Sequence, residues 1–204
     1  MMEYTSGANK SRVWWGELPD WSYDTGDNIR LELDMQGLSA DGDSEIRYGA
    51  IEMFILRGSR VLYGGLGAVF SPQRRGSRMV EIAMSQDQGQ LWSDPLSGRT
   101  DTVYKGLPYY EYVIGICNGI LYSKYKYRLG AGTLRVAWAT HGLVGSSPWV
   151  FHVLSDSLAG LLIRERKGTI TFEELKELIG QAELRARRFY GNWPIDSFQN
   201  PHDQ

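Results

Sequence analysis

The sequence predicts an α+β fold: a mostly antiparallel sheet with helices packed on one face. Apolar and polar residues alternate in short runs through the first half, the signature of half-buried strands. After Pro108, apolar residues recur at helical spacing in three segments. Strands come first, followed by helix, strand, helix and helix, an order that segregates helices from the sheet.

Residues 1–28 carry Gly, Asp and polar positions around Trp14, Trp15 and Trp21, and are expected to form an irregular lead-in whose aromatics dock on the body. Ile29, Leu31, Leu33 and Met35 then alternate with charged residues as a first strand. A Gly- and Asp-rich turn over 38–45 leads to a second strand over 46–57 around Ile51, Met53 and Ile55. Gly58-Ser59 breaks it, and 60–70 form a third strand interrupted by Gly64, Gly65 and Gly67. Residues 71–77, with Pro72 and Gly76, read as a hairpin loop before a fourth strand at Val80, Ile82 and Met84, and 86–106 read as loop.

Beyond Pro108, Tyr109, Tyr112, Val113, Ile116 and Ile120 share one helix face, and Gly130 and Gly132 close that segment. Leu134, Val136 and Trp138 alternate as a strand. Ser147-Pro148 starts a helix, because Ser caps free amides and Pro suits the first helical position. Thr171 and Glu174 form a capping box before a final helix with Leu175, Leu178, Ile179, Ala182, Ala186 and Phe189 inward. One α+β domain over 29–190 and a tail over 191–204 complete the expected organisation.

The 204 residues are 42% hydrophobic and 23% charged, a balance that excludes a disordered chain, a collagen-like fibre and a coiled coil. Lys and Arg number 22 against 24 Asp and Glu, so no whole-chain basic charge argues for nucleic acid. The single cysteine, Cys117, excludes a disulfide framework and a Cys-based zinc site and fits a reducing compartment. The first residues show no basic start followed by an apolar run, and no apolar stretch reaches the roughly 18 residues of a membrane span. A cytoplasmic protein without cofactor, metal or membrane partner is expected.

Most local motifs have plain structural readings. Gly64-Gly65-Leu66-Gly67 lacks the Lys and Ser or Thr of a phosphate loop, and a bulge or tight bend accounts for it. Ser146 and Ser147 open a helix, where they cap it or offer an anion-binding start. His141, His152 and His202 lack metal-ligand spacing, and Asp41-Gly42-Asp43-Ser44-Glu45 lacks a full calcium-ligand series. Arg74, Arg75 and Arg78 form a short basic hairpin expected to cap an exposed loop, with further clusters at 164–167 and 185–188.

One resemblance spans residues 60–163. Glu111-Tyr112-x-x-x-Ile116-x-x-Gly119-Ile120, preceded by Gly106 and Pro108, resembles the helix segment of the fourth domain of translation elongation factor G. Val144-x-Ser146-Ser147-x-x-x-Phe151, with His141 before it, is similar to that family's Ser-Ser helix start, and Gly64-Gly65-x-Gly67 to its opening glycine stretch. The resemblance implies a split β-α-β core, shared with the second domain of ribosomal protein S5 and with the galactokinase and homoserine kinase group. It also implies a ribosome or RNA partner met by Arg74, Arg75 and Arg78. The kinase group's Gly-Leu-Gly-Ser-Ser loop is matched only in part by residues 142–147.

Seven Trp and twelve Tyr supply aromatic surface that has two readings, a Trp-rich core, the commoner place for any single Trp, and a protein-binding face. With no catalytic cluster in view, the expected function is non-enzymatic protein binding, of the immunity-protein, antitoxin or regulator type, through Trp14, Trp15, Trp21 and Trp92. An RNA- or ribosome-binding protein is the alternative. A phosphotransfer enzyme with an anion at Ser146 and Ser147 is the third.

Overall fold

The structure is a computed structural model that describes residues 1–33, 45–73, 76–164 and 170–190. Its strands are β1 (Met2–Ser6), β2 (Asn9–Trp15), β3 (Thr25–Leu33), β4 (Arg47–Arg57), β5 (Arg60–Pro72), β6 (Arg78–Ser85), β7 (Gln90–Leu91), β8 (Val103–Lys105) and β9 (Gly132–Gly142). The helices are α1 (Tyr110–Tyr122), α2 (Lys126–Leu129), α3 (Pro148–Leu162) and α4 (Phe172–Tyr190). The strands form one open sheet in the order β1-β2-β4-β5-β9-β6-β3, with β8 joining the end of β9 and β7 joining β8. Every pairing is antiparallel except β6 with β9, which lie side by side and are connected through α1. The fold is thus mixed α and β with a largely antiparallel sheet, as the order of periodicities predicts.

The N-terminal residues differ from the expected irregular lead-in. Residues 2–15 form a hairpin, and β2 extends the sheet by pairing Lys10–Trp15 with Phe54–Gly49 of β4. Val13 enters the core under the helices, while Trp14 enters a second core on the opposite face. A strand covered on both faces loses the polar alternation that marks a half-buried one. Short strands β7 and β8 likewise lie within the segment read as loop.

The first core lies between the sheet and α1, α3 and α4, around Ile51, Met53, Leu66, Phe70, Ile116, Phe151 and Leu178. The second is built from Trp14, Phe54, Tyr63, Trp92, Leu96 and Trp138 on the other face of the sheet, with Leu18 and Trp21 packed against it. The glycine run of β5 serves both. A Cβ on Gly64 would lie 2.8 Å from Val150 of α3, whereas one on Gly65 would lie 2.6 Å from the Trp138 ring. A Cβ on Gly67 would lie 2.8 Å from the Ala50 Cβ and 3.1 Å from the Trp138 Cβ. Next to Gly67 the pairing shifts register, since Gly67 faces Trp138 and Ala68 faces Val136, which leaves Ala137 as the extra residue of a bulge.

Helices α1 and α3 also meet at glycines. A Cβ on Gly115 would collide with the Pro148 carbonyl, and one on Gly119 with His152 and Ser155. The Ser147 hydroxyl caps α3 by accepting from the Val150 amide at 3.3 Å, with Pro148 in the first turn. At α4 the capping box forms in both directions, Thr171 N to Glu174 at 2.8 Å and Glu174 N to the Thr171 hydroxyl at 3.3 Å.

Gly65→Ala is expected to lower stability by about 1–3 kcal/mol in urea denaturation, because the added methyl overlaps a ring seated on the sheet. Gly180→Ala in α4, where a Cβ meets nothing within 4 Å, is expected to leave the midpoint unchanged or raise it. Equal losses in the two variants would contradict the packing described.

Candidate functional site

The tryptophans chosen from the sequence do not form an exposed face. Trp138 is fully buried, and Trp14, Trp21 and Trp92 surround it with ring centroids 5.3, 5.0 and 5.8 Å away. Trp14 and Trp92 are buried and Trp21 is half-buried, while half-buried Trp15 packs toward the helix-side core. These indoles meet each other because the sheet needs cover on this side, and loops alone supply it. The expected partner-binding surface at Trp14, Trp15, Trp21 and Trp92 is corrected accordingly.

Beside the indoles lies a buried polar network that the sequence reading missed. Glu52 of β4 has no solvent exposure, and its Oε1 accepts from the Leu96 amide and the Tyr63 hydroxyl, both at 2.8 Å. Tyr63 also lies 3.1 Å from the Thr140 hydroxyl. Arg12 reaches Glu52 at 3.3 Å, Glu3 at 3.1 Å and the Asp94 carbonyl at 3.1 Å, with its guanidinium over the Trp14 and Trp92 rings. Burial outweighs Arg12 and raises the Glu52 carboxyl to about 7.

The β9–α3 turn is satisfied from within. Asp101 accepts from the amides of Val144 at 3.1 Å and Gly145 at 2.8 Å, so a carboxylate of the chain ties down the turn that leads into α3. The Ser146 hydroxyl accepts from Gly142 N and donates to the Tyr63 carbonyl, each at 2.8 Å. Ser147 is the helix cap. Among the described residues neither serine has a histidine partner in its hydrogen bonds.

The other expected groups are scattered. His141 places Nδ1 3.0 Å from the Gly106 carbonyl among the rings of Tyr104, Tyr109 and Tyr112. His152 is buried inside α3 beside Phe189 and Tyr190, and burial lowers its pKa to about 4. Arg78 does not cap an exposed loop. It is fully buried, and its guanidinium donates to the carbonyls of Gly130 and Lys126, tying β6 to α2. An RNA contact through Arg78 is therefore corrected to a structural role, while Arg74, Arg75, His202 and the acidic turn 41–44 lie outside the described residues. Arg164 pairs with Glu174 and Arg185 with Asp156, while Arg166 and Lys167 lie outside the described residues. Among the described residues no three His, Cys, Asp or Glu side chains come together as metal ligands.

The exposed apolar surface lies instead on α1. This helix carries one charged residue, Glu111, in thirteen positions. Its inner face buries Tyr112, Val113, Ile116 and Ile120, and glycines 115 and 119 seat it on α3. Its outer face presents Tyr110 at 57% exposure, Ile114 at 44% and Tyr122 at 51%, with Cys117, Asn118 and Leu121 half-buried between them. Phe189 of α4 extends this face, its ring 4.1 Å from that of Tyr122. At the other end, exposed Leu143 and Val144 precede the α3 start that packs on Gly115. Helices apolar on every side are normally enclosed.

The Glu52 environment has a pH consequence. Its folded pKa is about 7 and its unfolded value near 4.5, so the native state holds the extra proton between them. Its contribution to stability falls as pH rises through that window. His152, depressed to about 4, acts in the opposite sense below about pH 6.5, but it is common to both proteins compared. Urea denaturation from pH 5 to 8 is expected to show Glu52→Gln gaining stability relative to the parent as pH rises. Parallel curves would contradict a carboxyl held neutral by burial.

No protein-family model, no curated protein and no solved structure matches this chain.

Proposed function

We propose that this chain is a non-enzymatic protein-binding module, of the kind that includes immunity proteins, antitoxins and regulators, and that it docks a partner protein on the outer face of α1. The observation that carries this reading is a helix with a single charge whose outer side is open. Apolar surface rimmed by polar groups favours association with another apolar surface. The aromatic interface foreseen in the sequence is retained in kind but moved, from the four indoles to Tyr110, Ile114, Tyr122 and Phe189.

A second reading, ribosome or RNA binding, is favoured by residues 124–128. There Lys124, Lys126 and Arg128 alternate with Tyr125 and Tyr127, and Lys126 Nζ sits 4.8 Å from the Tyr127 ring at 60% exposure of that tyrosine. Cations interleaved with aromatic rings suit a single-stranded backbone and its bases. The order β4, β5, β6, α1, β9, α3 supports the likeness to the elongation factor G domain. A split β-α-β arrangement has a strand between its two parallel strands, whereas β6 and β9 are neighbours, so element order carries that support. Phosphotransfer is not carried forward, because the Ser146 hydroxyl ties Gly142 to Tyr63, the Ser147 hydroxyl caps α3, and the Asp101 carboxylate lies against the turn before them.

A photo-crosslinking residue at position 114, compared with one at exposed Glu177 of α4, separates these readings in the native cell. Adducts from position 114 that protease removes and nuclease does not are the expected result. Nuclease-sensitive adducts, or equal yields from 114 and 177, would overturn docking on α1. The RNA reading instead expects sedimentation with ribosomes that is lost steeply with added salt.

A further inference from the structure

We infer that the cleft between the β1–β2 hairpin and α4 is a binding site for a small molecule with an apolar body and one anionic end. The cleft holds about 380 Å³, within the rough 300–1,000 Å³ range of small-molecule sites. It lies away from α1 and belongs neither to the tryptophan core nor to the buried Glu52 network.

Its floor is apolar, made by Ile55 of β4 and by Leu175 and Ile179 of α4. The rings of Tyr4 and Phe172, stacked at 6.0 Å and 29°, close one end. The polar groups of the hairpin wall are Ser6, Asn9 and Ser11. Asn9 commits its side-chain oxygen to the Leu56 amide at 2.8 Å, so the remaining polar function of that side chain is its NH₂ donor. Glu183 is already held by Arg57 at 2.8 Å. That leaves Lys176 on the exposed rim, paired with Glu173 at 3.6 Å and 6.0 Å from the Phe172 ring, as the cleft's cation that is less tightly held than Arg57 among the described residues. Donors and a cation around an apolar floor suit a carboxylate or sulfonate on a hydrocarbon or aromatic body.

Gly180 supplies an independent observation. It stands inside α4, where glycine weakens a helix relative to alanine, yet a Cβ there would meet nothing within 4 Å. Glycines 64, 65, 115 and 119 each make room for a neighbour within the chain. Gly180 lines the cleft, and among the described residues no neighbour fills the space that its side chain would take. The missing side chain thus widens the space left for a guest.

The test is fluorescence titration of the full chain with two probes, anionic anilinonaphthalene sulfonate and neutral N-phenylnaphthylamine. Both are expected to bind saturably at one site. Gly180→Leu should weaken both by about tenfold or more while the thermal midpoint does not fall. Lys176→Met should weaken the anionic probe by about three- to fivefold and leave the neutral one unchanged. Ile114→Glu on the open face of α1 should alter neither. Unsaturable binding, titrations indifferent to Gly180→Leu, or equal losses for both probes in Lys176→Met would overturn the assignment.

Discussion

The seating of Trp138 on the bare backbone of Gly65 and Gly67 is the constraint on which the rest of the structure depends. The indole ring leaves no room for a Cβ on Gly65, and the Trp138 Cβ closes in on Gly67. Once seated, it organises Trp14, Trp21 and Trp92 into a second core and buries the face of the sheet opposite the helices. Gly64, one residue away and pointing to the other face, lets α3 approach equally closely. The central strand is thereby enclosed on both sides by a run of four residues.

That enclosure governs the chemistry. Polar side chains caught beneath the second core must find partners within the chain, because an unpaired buried group is costly. Glu52 takes Leu96 and Tyr63, Arg12 bridges three acidic neighbours, and Asp101 takes two amides of the β9–α3 turn. These groups hold loops to the sheet. Exposed apolar surface lies on the helix layer, where α1 turns an apolar side outward, and a cleft opens beside α4.

Much of the architecture was legible because it rests on local chemistry. The alternation at Ile29–Leu33, the Ser147-Pro148 start and the Thr171–Glu174 box each report one element without tertiary help. Strand β2 was not legible, since a segment buried on both faces reads as an unpatterned Val-Trp-Trp cluster. The candidate site was harder still. Whether Trp92 faces solvent or Trp138 depends on how two distant loops fold over one sheet face. Arg78 carries the same charge as Arg74 and Arg75, and the segment read as a hairpin loop joins two strands that β9 separates; only the geometry of Gly130 shows that Arg78 is committed to carbonyls. One signal was available and passed over: a single Glu52 inside the apolar run Ala50–Leu56 marks a buried acid in need of partners. The near absence of charge in residues 110–122 was another.

The proposed docking on α1 is measured most directly by hydrogen–deuterium exchange of the chain, free and in the complex isolated from its own cells. Slowed exchange concentrated in residues 114–122 and the end of α4, with the amides of β5 and β9 unchanged, is the expected result. Slowing confined to residues 124–130, or no change along α1, would contradict it.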